Sequence, residues 1–180
     1  MASPDEVGAC LEPLVGRGLV EPAAGSFRLT AAGKAAGAEL IAADRARWSG
    51  EAASAALDAF LVLDRRMKAT VTAWQMRTVD GTEALNDHSD PAYDDRVLAD
   101  LAGLNADARA WLTPLAAALP RLATYVSRLD RAERLAAGGD QRYVASPRVD
   151  SYHSAWFELH EDLILLAGRN RADEVAAGRA

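Results

Sequence analysis

The sequence predicts a mainly α-helical protein: a bundle of about four long helices with a small N-terminal segment carrying a β-hairpin. Three observations carry this prediction. Half of the residues are apolar but only 6% are aromatic, so the core is built largely from Ala, Leu and Val, and Ala richness favours closely packed helices. Apolar residues recur at alternating steps of three and four from Leu57 to Trp74, Val97 to Leu115 and Val149 to Ala167. Gly and Pro punctuate these patterns, at Gly16 and Gly18, Pro91, Pro114, Pro120 and Gly138-Gly139. Within 180 residues this gives a segment at 1–48 and a bundle domain at 49–180.

The elements follow in order. Ser3-Pro4-Asp5-Glu6 starts a helix: Ser3 caps, Pro4 suits the first turn and Glu6 closes a capping box. Val7, Leu11, Leu14 and Val15 give it an apolar face, on which Cys10 reads as a small core residue. Gly16-Arg17-Gly18 stops it. Leu19-Val20-Glu21 and Phe27-Arg28-Leu29 are strand-like runs flanking a turn, hence a hairpin. Thr30 caps the next helix, which runs through Leu40 and Ile41 to about Trp48.

From Glu51 to about Thr78 a long helix aligns Leu57, Phe60, Asp64, Met67, Val71 and Trp74 on one seam. A second stripe of Ala59, Val62, Leu63, Arg66 and Ala73 predicts burial on more than one side. Val79-Asp80-Gly81-Thr82 marks a turn, and Glu83 to Pro91 reads as a polar loop. Asp90 as cap and Pro91 in the first turn open a helix with Val97, Leu101, Leu104, Ala108, Trp111 and Leu115 at heptad spacing. Proline removes a donor and crowds the preceding turn, so Pro114 predicts a break or kink, with a second segment running to Ala137. Asp140 to Pro147 is a connector. The last long helix spans 148–168, and a weaker segment, 172–177, finishes the chain.

That last long helix interrupts its own seam. Val149, His153, Trp156, His160, Leu163 and Ala167 share one stripe, so two of the three histidines sit where Leu or Ile is expected. Asp64 interrupts its seam in the same way. An ionisable group in a bundle core is costly unless paired, and the simplest pairing joins the Asp64 carboxylate to one imidazole, fixing its tautomer. The loop residues Asn86, Asp87 and His88, with Trp74, Arg77, Tyr93, Arg148, Tyr152 and Trp156, would complete a pocket near one end of the bundle, apolar with a few convergent polar groups. In this reading His153, His160, His88 and Asp64 are the acid-base residues, and the others bind ligand, with Arg77 or Arg148 meeting an anionic group. The plainer alternative makes the histidines satisfied core residues, the loop a capped turn, and Trp74, Trp111 and Trp156 core anchors.

Other chemistries find little footing. His153 and His160 are separated by roughly 10 Å along a helix axis, too far to share an ion as an i, i+4 pair would. Glu158 to Glu161 and Phe157 to His160 both miss the Glu-x-x-His pattern of di-iron bundles. No metal and no cofactor is predicted. There is no Gly-rich phosphate loop, nucleophile elbow or Cys/His dyad, and one cysteine excludes an intramolecular disulfide. A net charge of −6 without a long basic run argues against nucleic acid as a partner of this chain alone. No charged start precedes an apolar run, and no apolar stretch approaches the ~20 residues of a membrane span. The expectation is a cytoplasmic protein with no membrane partner.

Two resemblances bear on function. Leu14 to Glu21 followed by Gly25-Ser26-Phe27-Arg28-Leu29-Thr30-Ala31-Ala32-Gly33 resembles the second half of a winged helix-turn-helix. The helices that normally precede the recognition helix have no counterpart. The first helix carries Asp5, Glu6 and Glu12 and no Lys or Arg before Arg17, which is unfavourable against phosphates. The resemblance thus implies a wing reused for packing or dimerisation. The set Thr72-Ala73-Trp74-Gln75, Asn86 to Asp90, Tyr93-Asp94 and Asp150 to Asp162 resembles a helical module of actinobacterial proteins. That module is found at the tail of pyruvate phosphate dikinase-like, phosphoenolpyruvate-utilising proteins, behind a winged-helix segment. The dikinase catalytic parts have no counterpart, so phosphoryl transfer is not implied; an accessory or ligand-sensing module is.

The sequence therefore points to a small-molecule-binding helical module, with a homodimer as an open state. A cofactor-free enzyme using the same Asp/His constellation is the alternative, followed by a ligand-responsive winged-helix transcriptional regulator and a purely structural oligomerisation module.

Overall fold

The computed structural model describes residues 4–79, 81–176 and 178, with side chains from Val7 onward. The chain separates into two compact units, Met1–Arg47 and Trp48–Ala180.

The first unit contains helix α1 (Pro4–Gly16), strands β1 (Val20–Ala23) and β2 (Ser26–Leu29), and helix α2 (Ala31–Arg47). The capping box expected from Ser3 and Glu6 lies outside the described side chains. The strands pair antiparallel from Val20↔Leu29 to Ala23↔Ser26, across a turn in which Ala24 and Gly25 both take positive φ, 42° and 81°. That conformation matches the twist of a tight hairpin. Thr30 joins the pieces: its hydroxyl donates to Gly18 O at 2.7 Å and accepts from Gly33 N at 3.0 Å. Little of the unit is buried beyond Val20 and Gly33, and Val7, Val15, Phe27, Leu29 and Leu40 are exposed. Cys10, expected in a core, is exposed, because only Leu11 and Leu14 of the α1 stripe are even half-covered.

The second unit is built on α3 (Gly50–Gln75), α4 (Pro91–Ala118), α5 (Ala123–Ala137) and α7 (Tyr152–Leu166), with a short α6 (Arg142–Ala145) in the connector and α8 (Arg171–Ala176) at its end. The long helices form an up-down-up-down bundle in which α3 borders α4, α4 borders α5, α5 borders α7 and α7 borders α3. Cross-links fix the antiparallel sense. Tyr93 of α4 donates to the carbonyls of Ala73 and Met76 at 2.9 and 3.0 Å, while further along Asn105 reaches Asp130 of α5 at 2.9 Å. Arg121, just before α5, and Tyr125 of α5 hold Asp162 of α7, and Arg128 of α5 holds Asp150 and Glu158. Among the described residues no helix is long and apolar enough to cross a membrane.

Ser49 caps α3 by accepting from Ala52 N at 3.1 Å. All six predicted seam residues of α3 are buried, Asp64 included. Of the second stripe only Leu63 is buried; Ala59, Val62 and Arg66 are exposed, so α3 presents one broad inner face. The helix stops at Gln75, short of Thr78, because the next residues leave as β3 (Met76–Val79) and pair with β4 (Thr82–Leu85). The start of the expected loop, Glu83 to Leu85, is therefore strand. Pro114 does not end α4. Both Pro114 and Ala110, whose carbonyl loses a partner there, are exposed to solvent, where the lost backbone bond costs less than it would in the core. The break comes instead at Leu119, followed by a 3₁₀ turn, Pro120–Leu122. Helix α7 begins at Ser151, which caps Ser154 N at 3.2 Å, rather than at Arg148.

Candidate functional site

The residues expected to share one pocket occupy two places. Asp64 and Trp74 lie ten residues apart on α3, about 15 Å along its axis, and the remaining candidates divide between these two levels.

At the Asp64 level, α3 and α7 enclose a pocket of about 360 Å³ with His153, Trp156 and His160 among its lining residues. That is at the lower end of the size range of small-molecule sites. Phe60 forms the aromatic floor beneath it, with ring centroids 4.9 Å from Trp156 and 4.8 Å from His160. The expected pairing of Asp64 with an imidazole is not formed. Trp156 Nε1 donates to Asp64 Oδ1 at 3.0 Å, and Lys68 Nζ meets Oδ2 at 3.0 Å. A buried indole N–H has only one way to be satisfied, by an acceptor, and Asp64 is that acceptor.

His160 is 3% exposed, and its Nε2 is buried without a hydrogen-bond partner. Burial holds its imidazole below the usual histidine range, with Arg171 and Lys68 adding to the effect and Asp64 and Glu161 opposing it. At neutral pH it is thus an uncharged group with an unused polar atom. His153, read as a seam residue, is exposed at the pocket edge. The buried face of α7 is centred on Tyr152, Ala155, Leu159 and Leu163, which turns His153 outward.

Sequence reasoning missed the pocket's cations. Lys68 was visible as the i+4 partner of Asp64 on one helix face. Arg171 follows the end of α7 and no spacing announced it. Its guanidinium lies 4.3 Å from the Phe157 ring centroid and pairs with Glu161 at 3.2 Å. Met67, Val71, Thr72 and Phe157 complete the wall.

At the Trp74 level, the β3–β4 hairpin delivers a second polar cluster. Asn86 Nδ2 donates to Trp74 O at 3.1 Å and to Asp94 Oδ1 at 2.9 Å, and His88 Nδ1 lies 2.9 Å from Asp94 Oδ2. Asp94 is buried in the first turn of α4, and the His88 ring packs on Trp74 at 4.5 Å. His88 itself takes φ 57°, which is uncommon for a residue with a side chain. Arg77 Nη2 reaches Asp87 at 2.7 Å and Ser89 at 3.1 Å. Hydrogen bonds from Ser89 hold the exposed Asp87 carboxyl below its usual range. Tyr93 spends its hydroxyl on the end of α3.

Two candidates belong to neither place. Tyr152 is fully buried in the bundle core, and Arg148 is exposed in the turn before α7 and does not line the pocket. Among the described residues no three His, Cys, Asp or Glu side chains are grouped to hold a metal ion.

No family model, curated protein or solved structure matches this chain.

Proposed function

We propose that the bundle binds a small organic molecule in the pocket between α3 and α7, as an accessory or sensing module. The observation that carries this is His160, a lining residue whose Nε2 is buried and unpartnered, beside an apolar wall of Trp156, Phe157, Met67 and Val71. Leaving a buried polar atom unsatisfied costs about 1–3 kcal/mol. A ligand that supplies the missing hydrogen bond recovers that cost and covers the apolar wall at once. The test is a thermal-shift screen of metabolites on wild type and on His160→Asn. A compound that raises the wild-type melting temperature and leaves the variant unmoved supports the reading; compounds that shift both equally, or none, count against it.

A second reading, acid-base catalysis, has support of its own at the hairpin. Asp94, anchored by Asn86, fixes His88 through Nδ1 and leaves Nε2 as the ring nitrogen outside that network. This is the arrangement by which a buried carboxylate orients a general base. Turnover of a substrate that is lost in Asp94→Asn, with the fold retained, would favour it over the binding module.

A further inference from the structure

We infer that the ligand of the α3–α7 pocket is a small organic monoanion: a ring or branched apolar body carrying one carboxylate. This rests on the binding reading above and names its chemistry. The pocket is lined by two cations, Lys68 and Arg171, each paired with one carboxylate, Asp64 and Glu161, so no spare carboxylate is left there to hold a cationic ligand. Asp64 is already spent, one oxygen on Trp156 Nε1 and the other on Lys68, and therefore has no strong call on a ligand cation. Arg171 is held at the rim by stacking on Phe157 and by Glu161, with guanidinium donors beyond the single ion pair. A guanidinium offers five N–H donors in a plane suited to a carboxylate. His160 also lines the pocket, and its Nε2 is closed to solvent and without a partner; a ligand that displaces the wall over it would find, in the Nε2–H tautomer, a donor for the second carboxylate oxygen that requires no buried charge. The apolar walls exclude inorganic phosphate as a good fit, since its four oxygens would leave Trp156, Met67 and Val71 facing polar atoms. They suit a ring of the size that a 360 Å³ pocket holds beside a carboxylate.

The experiment titrates the full chain, ¹⁵N-labelled at histidine, with benzoate, phenylacetate, phenylacetamide, phenethylamine and inorganic phosphate, following His160 by NMR. The expected result is saturable movement of the His160 signals by at least one aromatic acid, with the amide about tenfold weaker or worse. Arg171→Met should weaken the acid by about tenfold, the scale of one charge-assisted hydrogen bond. Lys68→Met should do so less, because its amine is shared with Asp64. If the amide or the amine saturates the site as tightly as the acids, the pocket is a binding site and the anion assignment falls. If phosphate saturates and the aromatic acids do not, the apolar half of the assignment falls. If no probe moves His160, the binding reading falls with it.

Discussion

Trp156 and Asp64, 92 positions apart in sequence, are joined by a buried hydrogen bond of 3.0 Å between the indole Nε1 and carboxylate Oδ1. The bond explains how a carboxylate 5% exposed sits on the inner seam of α3. Trp156→Phe should therefore cost about 2–3 kcal/mol by urea unfolding, since it strips a buried carboxylate of one of its two partners. Adding Asp64→Leu to that variant should recover stability, because both ends of the polar pair are then gone. A double variant less stable than Trp156→Phe alone would show that Asp64 stabilises the bundle by other means.

The depressed titration of His160 has a definite sign. In the unfolded chain the imidazole titrates near about 6.5; in the fold, burial lowers that value, with Arg171 and Lys68 acting in the same direction against Asp64 and Glu161. Between the two values the unfolded chain binds the extra proton, so stability rises with pH. The contribution is whole above about pH 6.5 and is lost as pH falls toward the folded value. His160→Leu should flatten the slope of stability against pH between pH 5 and pH 7. Because the other titrating groups are common to both proteins, the difference between the slopes isolates His160. Parallel slopes would mean that its titration is the same folded and unfolded.

Much of the bundle was legible because its seams are written in apolar spacing: every predicted seam residue from Leu57 to Trp74 is buried. Spacing also found His160 and Asp64 as polar interruptions. It could not say whom Asp64 meets, since helix periodicity fixes the face a residue occupies and not the neighbour across the interface. His153 was misread because α7 starts at the Ser151 cap and its buried face is centred on Tyr152 and Leu159, a shift that one stripe of residues does not reveal. The hairpin after α3 is hard to read because Thr82, taken up by the turn signal, is the one β-branched residue of Thr82-Glu83-Ala84-Leu85, and no aromatic residue marks the strand. It is held instead by pairing and by Asn86, whose N–H donates to Gln75 O at 2.8 Å. Arg171 lay beyond any pattern.

Tyr152, expected at the ligand, is a core residue whose hydroxyl is buried without a partner. Burial, with the charges of Asp130 and Glu133, pushes its phenol above the usual tyrosine range, so the group stays protonated throughout the accessible pH range. Tyr152→Phe keeps the ring that lies 5.9 Å from Trp156 and removes only the unsatisfied hydroxyl. The expected outcome is no loss, or a gain of up to about 1 kcal/mol, in urea unfolding. A loss larger than that would show that the hydroxyl is satisfied in solution.

Gly33 and Gly37 of α2 should respond oppositely to alanine. A Cβ at Gly33 would lie 1.9 Å from the carbonyl oxygen of Leu19, the same oxygen that accepts from Thr30 N at 3.0 Å. Backbone cannot yield that far without breaking the bond, so Gly33→Ala should separate α2 from the hairpin and remove protection of the Thr30 amide in hydrogen exchange. At Gly37 nothing lies within 4 Å of the added Cβ. There alanine brings only its better helix propensity, a gain of up to about 1 kcal/mol, and protection at Thr30 should hold or rise. The pair separates close approach from helix propensity within one element: equal loss in both variants would mean that α2 tolerates no change on this side, and equal protection would mean that Leu19 and Gly33 stand further apart in solution.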